Sequence, residues 1–217
     1  MMPSRHPGDP ALVDYAAGRL NEAMALAVAT HLALCPDCRP RVAQVETLGG
    51  ILLDELAPAT MSVGGLDWAL AKLDEAAPTP PRPAPATAET DFAWPAPLCP
   101  YFAPAMPSWR FVAPGVRQIV LVSPAATGGS ARLLRVAPGR AMAHHGHRGR
   151  EMSVVLAGAY TDEFGLFGPG DFAELDEAAE HRPVAAPGDN CLCLIATDGR
   201  LRFSGWLGRL LQPLLGV

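Results

Sequence analysis

The sequence has no uninterrupted apolar run of the about 18 residues that a membrane span requires, so no transmembrane segment is expected. Met1 to Pro10 hold no apolar core, so a secretory signal is not expected and the chain is expected to work in the cytoplasm. A basic excess is missing too. The net charge is −5, and no cluster of Lys and Arg forms the positive footprint of a nucleic-acid binder. Direct nucleic-acid contact is therefore not expected, whereas an acidic chain suits a basic protein surface. Cysteine is sparse. In a cytoplasmic chain its five cysteines read as thiols or metal ligands rather than a disulfide framework.

The chain does have apolar residues, 49% against 18% charged, enough for most of its 217 residues to fold as one large domain or two small ones. Asp9-Pro10 reads as a helix start, a capping residue followed by proline at the first helical position. Leu12, Val13, Ala16 and Leu20 make its apolar face, and Gly18 ends or weakens it. Asn21 caps a second helix from Glu22 to about Leu34. After a break at Pro36-Asp37, Cys38 opens a third helix with Val42, Val45 and Leu48; Gly49-Gly50 interrupts it and Ile51 to Leu56 resume it after a kink. Ser62 opens a fourth, ending near Ala77, with Leu66, Leu70 and Leu73 at helical spacing and Trp68 beside them. Together these predict a small all-α bundle with little core of its own, where a structural metal helps most.

From Pro78 to Pro107 the run Pro-Thr-Pro-Pro-Arg-Pro-Ala-Pro and its continuation hold neither helix nor ladder and read as an extended linker. Phe92, Trp94, Tyr101 and Phe102 punctuate its later part and are placed to dock on the second domain. After Arg110 come short apolar runs between Gly-, Pro- and Asp-containing turns: 116–122, 131–136, 151–156 and 190–195. Such runs predict an all-β sandwich or barrel. The apolar tail, Trp206 to Leu215, is expected to pack on it. The expected organisation is thus α+β and multidomain, with domains 1–77 and 108–217 joined by a linker over 78–107. Whether the two domains touch is left open.

Two constellations carry chemistry. His31-x3-Cys35-x2-Cys38 places an imidazole one turn before a C-x2-C knuckle, so three soft ligands converge on one ion. His6, or less well Asp9, closes the tetrahedron. A redox dithiol is the rival, but it expects a strand before the motif, and none is visible. His6, His31, Cys35 and Cys38 within short helices resemble the zinc-binding anti-sigma domain. That resemblance implies zinc at these four residues, and a partner: an extracytoplasmic-function sigma factor whose polymerase-binding faces the helices cover.

The second is Gly139-x5-His145-x-His147-x3-Glu151-x6-Gly158. Residues two apart on a strand face one side, so His145 and His147 look the same way, and Glu151 reaches the same centre. This resembles the first cupin motif, and Gly165, Pro169, Gly170 and His181 resemble the second, with a longer gap before the histidine than the pattern has. The resemblance implies a cupin barrel in which His145, His147, Glu151 and His181 hold zinc or another divalent transition metal such as iron, manganese or copper. His144 reads as a solvent-facing neighbour. Cys191 and Cys193 share a strand face and read as small core residues; a disulfide between them would oppose strand geometry. Cys99 has no visible partner.

A zinc anti-sigma domain, a proline-rich linker and a cupin together resemble the ChrR-type anti-sigma factors. The resemblance implies a non-enzymatic chain that holds its sigma factor in a 1:1 complex and releases it when the cupin senses singlet oxygen or related oxidants such as organic hydroperoxides. Two alternatives stand beside it: a cupin metalloenzyme of the dioxygenase kind with a structural zinc module, and a sensor of zinc supply.

Overall fold

The computed structural model describes residues 2–75, 92–102, 107–123, 128–199 and 201–203. Helices lead: α1 (Asp9–Ala16), α2 (Glu22–Leu34), α3 (Cys38–Asp54) and α4 (Gly65–Asp74), with a 3-10 helix, η1 (Ala96–Phe102), after them. The strands follow: β1 (Arg110–Ala113), β2 (Val116–Val122), β3 (Ser130–Val136), β4 (His145–His147), β5 (Glu151–Ala157), β6 (Tyr160–Asp162), β7 (Gly165–Phe167), β8 (Phe172–Leu175), β9 (Glu180–His181), β10 (Val184–Ala185), β11 (Cys191–Thr197) and β12 (Leu201–Phe203). The proline-rich run over 76–91 and the tail from Trp206 to Leu215 lie outside the described residues. No helix among the described residues is long and apolar enough to cross a membrane.

Local chemistry explains the helix ends. Asn21 caps α2, its side chain accepting from the Met24 N–H at 3.0 Å. α1 differs from expectation by one residue. Gly8 is the cap, Asp9 and Pro10 sit inside the first turn, and the Asp9 carboxylate pairs with Arg41 instead of capping. α3 runs through Gly49-Gly50 without the expected break. Two helical glycines cost about 1 kcal/mol each, which the hydrogen-bond ladder of a long helix tolerates.

The runs read from the sequence as strands are β2, β3, β5 and β11. They form the middle of an antiparallel six-stranded sheet, ordered β1-β2-β3-β11-β5-β8. β11 lies between β3 and β5, with Cys193 opposite Leu134 on one side and Val155 on the other. Two three-stranded sheets, β10-β6-β7 and β12-β4-β9, complete the β half. None of the three sheets closes on itself among the described residues.

The large sheet is buried on both faces. On the inner face Leu134, Val136, Val155, Ala173, Cys191 and Cys193 pack with Tyr160 and Phe167 of β6 and β7. On the outer face Ile119, Leu133, Met152, Val154, Phe172 and Leu194 share one core with Leu12 of α1 and Met24, Ala27 and Val28 of α2. Burial on both faces is why β3, β5 and β11 read as near-continuous apolar runs. The helices therefore do not rest on a core of their own. α2 is apolar nearly all round, so it must be covered on more than one side, and the sheet supplies that cover. Phe92, Trp94, Leu98 and Phe102 close the same core, and the Tyr101 hydroxyl donates to Glu22 of α2 at 2.8 Å. The aromatic segment thus docks on helix and sheet together. α3, by contrast, buries only Cys38 and Val42, and α4 has no buried residue among those described.

Candidate metal centres

The first centre gathers side chains from three places. His6 comes from the arm before α1, His31 from the last turn of α2, and Cys35 and Cys38 from the knuckle where α2 ends and α3 begins. One ligand atom from each of the four lies within 4.8 Å of all the others. His6 Nδ1 is 3.4 Å from both Cys35 Sγ and Cys38 Sγ, and His31 Nε2 is 3.4 Å from Cys38 Sγ. Zinc–ligand bonds of about 2.0–2.3 Å at tetrahedral angles give edges of about 3.3–3.8 Å, so the set fits zinc. His31 Nδ1 donates to the Gly170 carbonyl at 2.8 Å, which leaves Nε2 as the lone-pair nitrogen facing the sulfurs. Burial lowers the pKa of His31 to about 4, so the ring is neutral at pH 7, as ligation requires. Burial pushes the Cys38 thiol up, and the Cys35 thiol beside it adds to the rise. Asp9, the alternative fourth ligand, is engaged by Arg41 instead.

The second centre is built by register. β4 carries His145 and His147, and β9 pairs with β4 so that His181 lies opposite His145. Glu151 opens β5. The long gap before His181 holds β8 and a turn in which Asp176 accepts from the Ala178 and Ala179 N–H groups. All four ligand side chains are buried, and one ligand atom from each again lies within 4.8 Å of the rest. His145 Nδ1 donates to the Ala143 carbonyl at 2.8 Å and His181 Nδ1 to the Asp162 carboxylate at 3.0 Å. A carbonyl and a carboxylate only accept, so both Nε2 atoms present lone pairs, 3.2 Å apart. Two facing lone pairs repel unless a cation or proton joins them. His147 is buried with neither ring nitrogen hydrogen-bonded, and its Nδ1 lies 3.5 Å from Glu151 Oε2. These donors fit a divalent transition ion.

The electrostatics agree with that fit. Burial lowers His145 to about 4 and His147 to about 3, so both rings are neutral at pH 7. Burial, reinforced by Asp162, pushes Glu151 up to about 8, so without a cation beside it this carboxyl holds a proton at pH 7. His144 is half-exposed beside Glu180 at 3.8 Å, outside the cluster. Cys191 and Cys193 are buried on the inner face with their sulfurs 3.4 Å apart, and Cys99 on η1 is partly buried. Sequence reasoning missed Asp162 and the Gly170 carbonyl. Asp162 gave only the signal of an acid inside a short strand, and a backbone carbonyl leaves no trace in residue identity.

Comparison with known proteins places both centres in familiar company. Residues 101–199 match the family described as the ChrR Cupin-like domain, a range that includes His145, His147, Glu151 and His181. Residues 9–39 match a putative zinc-finger family, a range that includes His31, Cys35 and Cys38 but not His6. The chain is 44% identical over 216 residues to the anti-sigma-E factor ChrR of Cereibacter sphaeroides, covering 98% of each chain. Among solved structures it is similar to a chain from the crystal structure of Rhodobacter sphaeroides SigE in complex with the anti-sigma ChrR. That match has 42% identity and a TM-score of 0.73, and covers 89% of this chain and 98% of the other. Two family matches in chain order and an identity of 44% over almost the whole length establish kinship: this chain belongs to the ChrR family of anti-sigma factors.

Proposed function

We propose that this chain is a cytoplasmic anti-sigma factor. It sequesters an extracytoplasmic-function sigma factor in a 1:1 complex and releases it when the cupin half meets singlet oxygen or a related oxidant. The observation that carries the inhibitor reading is the apolar surface of α3 and α4. Among the described residues, eleven of the seventeen exposed large hydrophobic side chains fall between Leu48 and Leu73. Monomeric proteins rarely leave so dense a patch uncovered, which marks a partner site. In this reading the helices complete their bundle around the bound sigma factor, and the strands serve as the cupin barrel. Zinc at His6, His31, Cys35 and Cys38 holds the helical arm in shape. A second divalent ion at His145, His147, Glu151 and His181 supplies a centre that reacts with or is displaced by oxidant.

Co-expression with the extracytoplasmic-function sigma factors of the same organism tests the reading. One of them should co-purify in equal amount with about two metal ions per chain. A chain that ignores every sigma factor yet holds a metal in the cupin half would overturn it. The sensor assignment has its own test. His145→Ala or Glu151→Ala should remove one ion per chain, leave sigma binding intact, and flatten reporter induction by photosensitised singlet oxygen. Normal induction in both variants would reject the cupin ion as trigger.

The charge states add a pH signature. A cupin ion must displace the proton that burial holds on Glu151 below about pH 8. One proton released per ion makes affinity rise by about tenfold per pH unit from pH 6 to 8 and flatten above that. His145 and His147 add nothing to this slope, because burial keeps both neutral throughout. Chelator-competition titrations across this range check it; an affinity independent of pH would reject a proton held on Glu151 in the metal-free site.

A further inference from the structure

The two metal centres share one stretch of chain, the run from β6 through β8. At its start Asp162 accepts the proton of His181 Nδ1. At its far turn the Gly170 carbonyl accepts the proton of His31 Nδ1. The same turn grips the arm that carries His6. Buried Asp171 accepts from the backbone N–H of Ser4 at 2.6 Å and of Arg5 at 3.0 Å, and from the Gly168 N–H at 2.8 Å. The Phe172 N–H donates back to the Arg5 carbonyl at 3.1 Å. The Arg5 guanidinium reaches along the hairpin, donating to the carbonyls of Phe164 at 2.9 Å and Leu166 at 3.1 Å, with its carbon 4.4 Å above the Phe167 ring. Gly170 has a φ of +87°, and a Cβ there would come within 2.6 Å of Pro3 Cγ, so the arm needs glycine at its seat. The turn is also bonded to β5, the strand that Glu151 opens, through Gly170 N–H to the Val155 carbonyl and Val155 N–H to the Asp171 carbonyl.

From this continuity we infer that Arg5, Asp171 and Gly170 are positioning residues through which the cupin ion controls how firmly the front zinc is held. The inference rests on both clusters holding metal ions. With its ion bound, the cupin centre fixes His181 and Glu151, hence β6 and β5, hence the turn between β7 and β8. The fixed turn holds His31 in its ligating orientation and keeps the arm docked, so His6 is always close at hand. Loss of the cupin ion frees the turn, and the front zinc then leaves faster. Because coupling between two sites is reciprocal, front zinc also tightens the cupin ion. The docked and undocked arm are the two states that both ions bias.

Cobalt(II) reports on the front centre alone, because only that centre has the thiolates that give a charge-transfer band. In the full-length cobalt-loaded chain, the decay of this band on adding EDTA measures release there. Arg5→Gln, Asp171→Asn and His145→Ala should each speed the decay by about tenfold, the scale of losing an outer partner of a metal ligand. His145→Ala combined with Asp171→Asn should be no faster than Asp171→Asn alone, because both act through one link. Hydrogen exchange at the Ser4 and Arg5 amides should also quicken in His145→Ala, a change that simple loss of a distant ligand would not cause. Arg5→Gln removes a half-buried guanidinium whose bonds reach the Phe164 and Leu166 carbonyls and the Phe167 ring, outside the strands of the six-stranded sheet, so it serves even if Asp171→Asn misfolds. With two ions per chain confirmed, equal decay rates, multiplying effects or unchanged exchange overturn the coupling while leaving the metal assignments standing. A chain that takes up no thiolate-bound cobalt overturns both.

Discussion

Cys38→Ser should abolish sigma binding and lower the metal content from about two ions per chain to one, while the strand core still unfolds near its normal temperature. The expectation follows from how α3 is attached. Of its 17 residues only Cys38 and Val42 are buried, so apolar contacts do little to fix its direction. In the proposed reading, zinc at His6, His31, Cys35 and Cys38 ties the start of α3 to the end of α2 and to the arm, beside the Arg39 bonds to the Leu32 and Ala33 carbonyls and the Arg41–Asp9 pair. Structural zinc contributes apparent binding energies of about 10–16 kcal/mol in small modules, far more than one buried valine supplies. Remove a thiolate, and the exposed face of α3 and α4 loses its orientation toward a partner. α1 and α2 stay in place, because Leu12, Met24 and Val28 belong to the core shared with the sheet. The effect on affinity should be a loss of at least roughly 100-fold, read by co-purification and by titration of the isolated chains, with metal analysis on the same samples. Wild-type affinity in a zinc-free Cys38→Ser chain would sink the account.

Leu66→Asp, Leu70→Asp and Trp68→Ala should give the opposite pattern, with both ions retained, stability unchanged and sigma binding weakened by about 30- to 1,000-fold for the residue at the centre of the contact. The range corresponds to about 2–4 kcal/mol for a hot-spot side chain. These residues are available for such a role. Trp68 is 67% exposed and Leu73 is 80% exposed. Leu66, Leu70 and Leu73 lie on one face at helical spacing, and Trp68 stands on another, where Lys72 comes within 5.6 Å of its ring. A helix apolar on two faces and buried on neither is shaped to enter a groove rather than to lie on a surface. Because none of these side chains supports the chain's own core, a drop in affinity here cannot come from unfolding. Unchanged affinity in all three variants would move the contact elsewhere, with the end of α3 next in line.

The sequence by itself determined the candidate ligand sets, the four helices and the four long strands β2, β3, β5 and β11, because each is written in short-range spacing. His31, Cys35 and Cys38 meet because a helix returns every three to four residues, and His145 and His147 face one way because a strand returns every two. His6 and His181 were legible as the partners those local sets lacked, together with the motifs they complete. β2, β3, β5 and β11 were legible from apolar content bounded by turn residues. Apolar content, however, says that a side chain is to be buried and not against what. Only the tertiary structure decided that α2 lies on the large sheet instead of in a bundle core, that β11 slots between β3 and β5, and that the aromatic segment around Trp94 seals helix to sheet. Only the structure decided, too, that α4 keeps its leucines in water. The ties between the two metal centres were unreadable for a sharper reason. They run through the Gly170 carbonyl and the backbone N–H groups of Ser4 and Arg5, groups that every residue but proline shares, and it is the fold that brings them to His31 and Asp171.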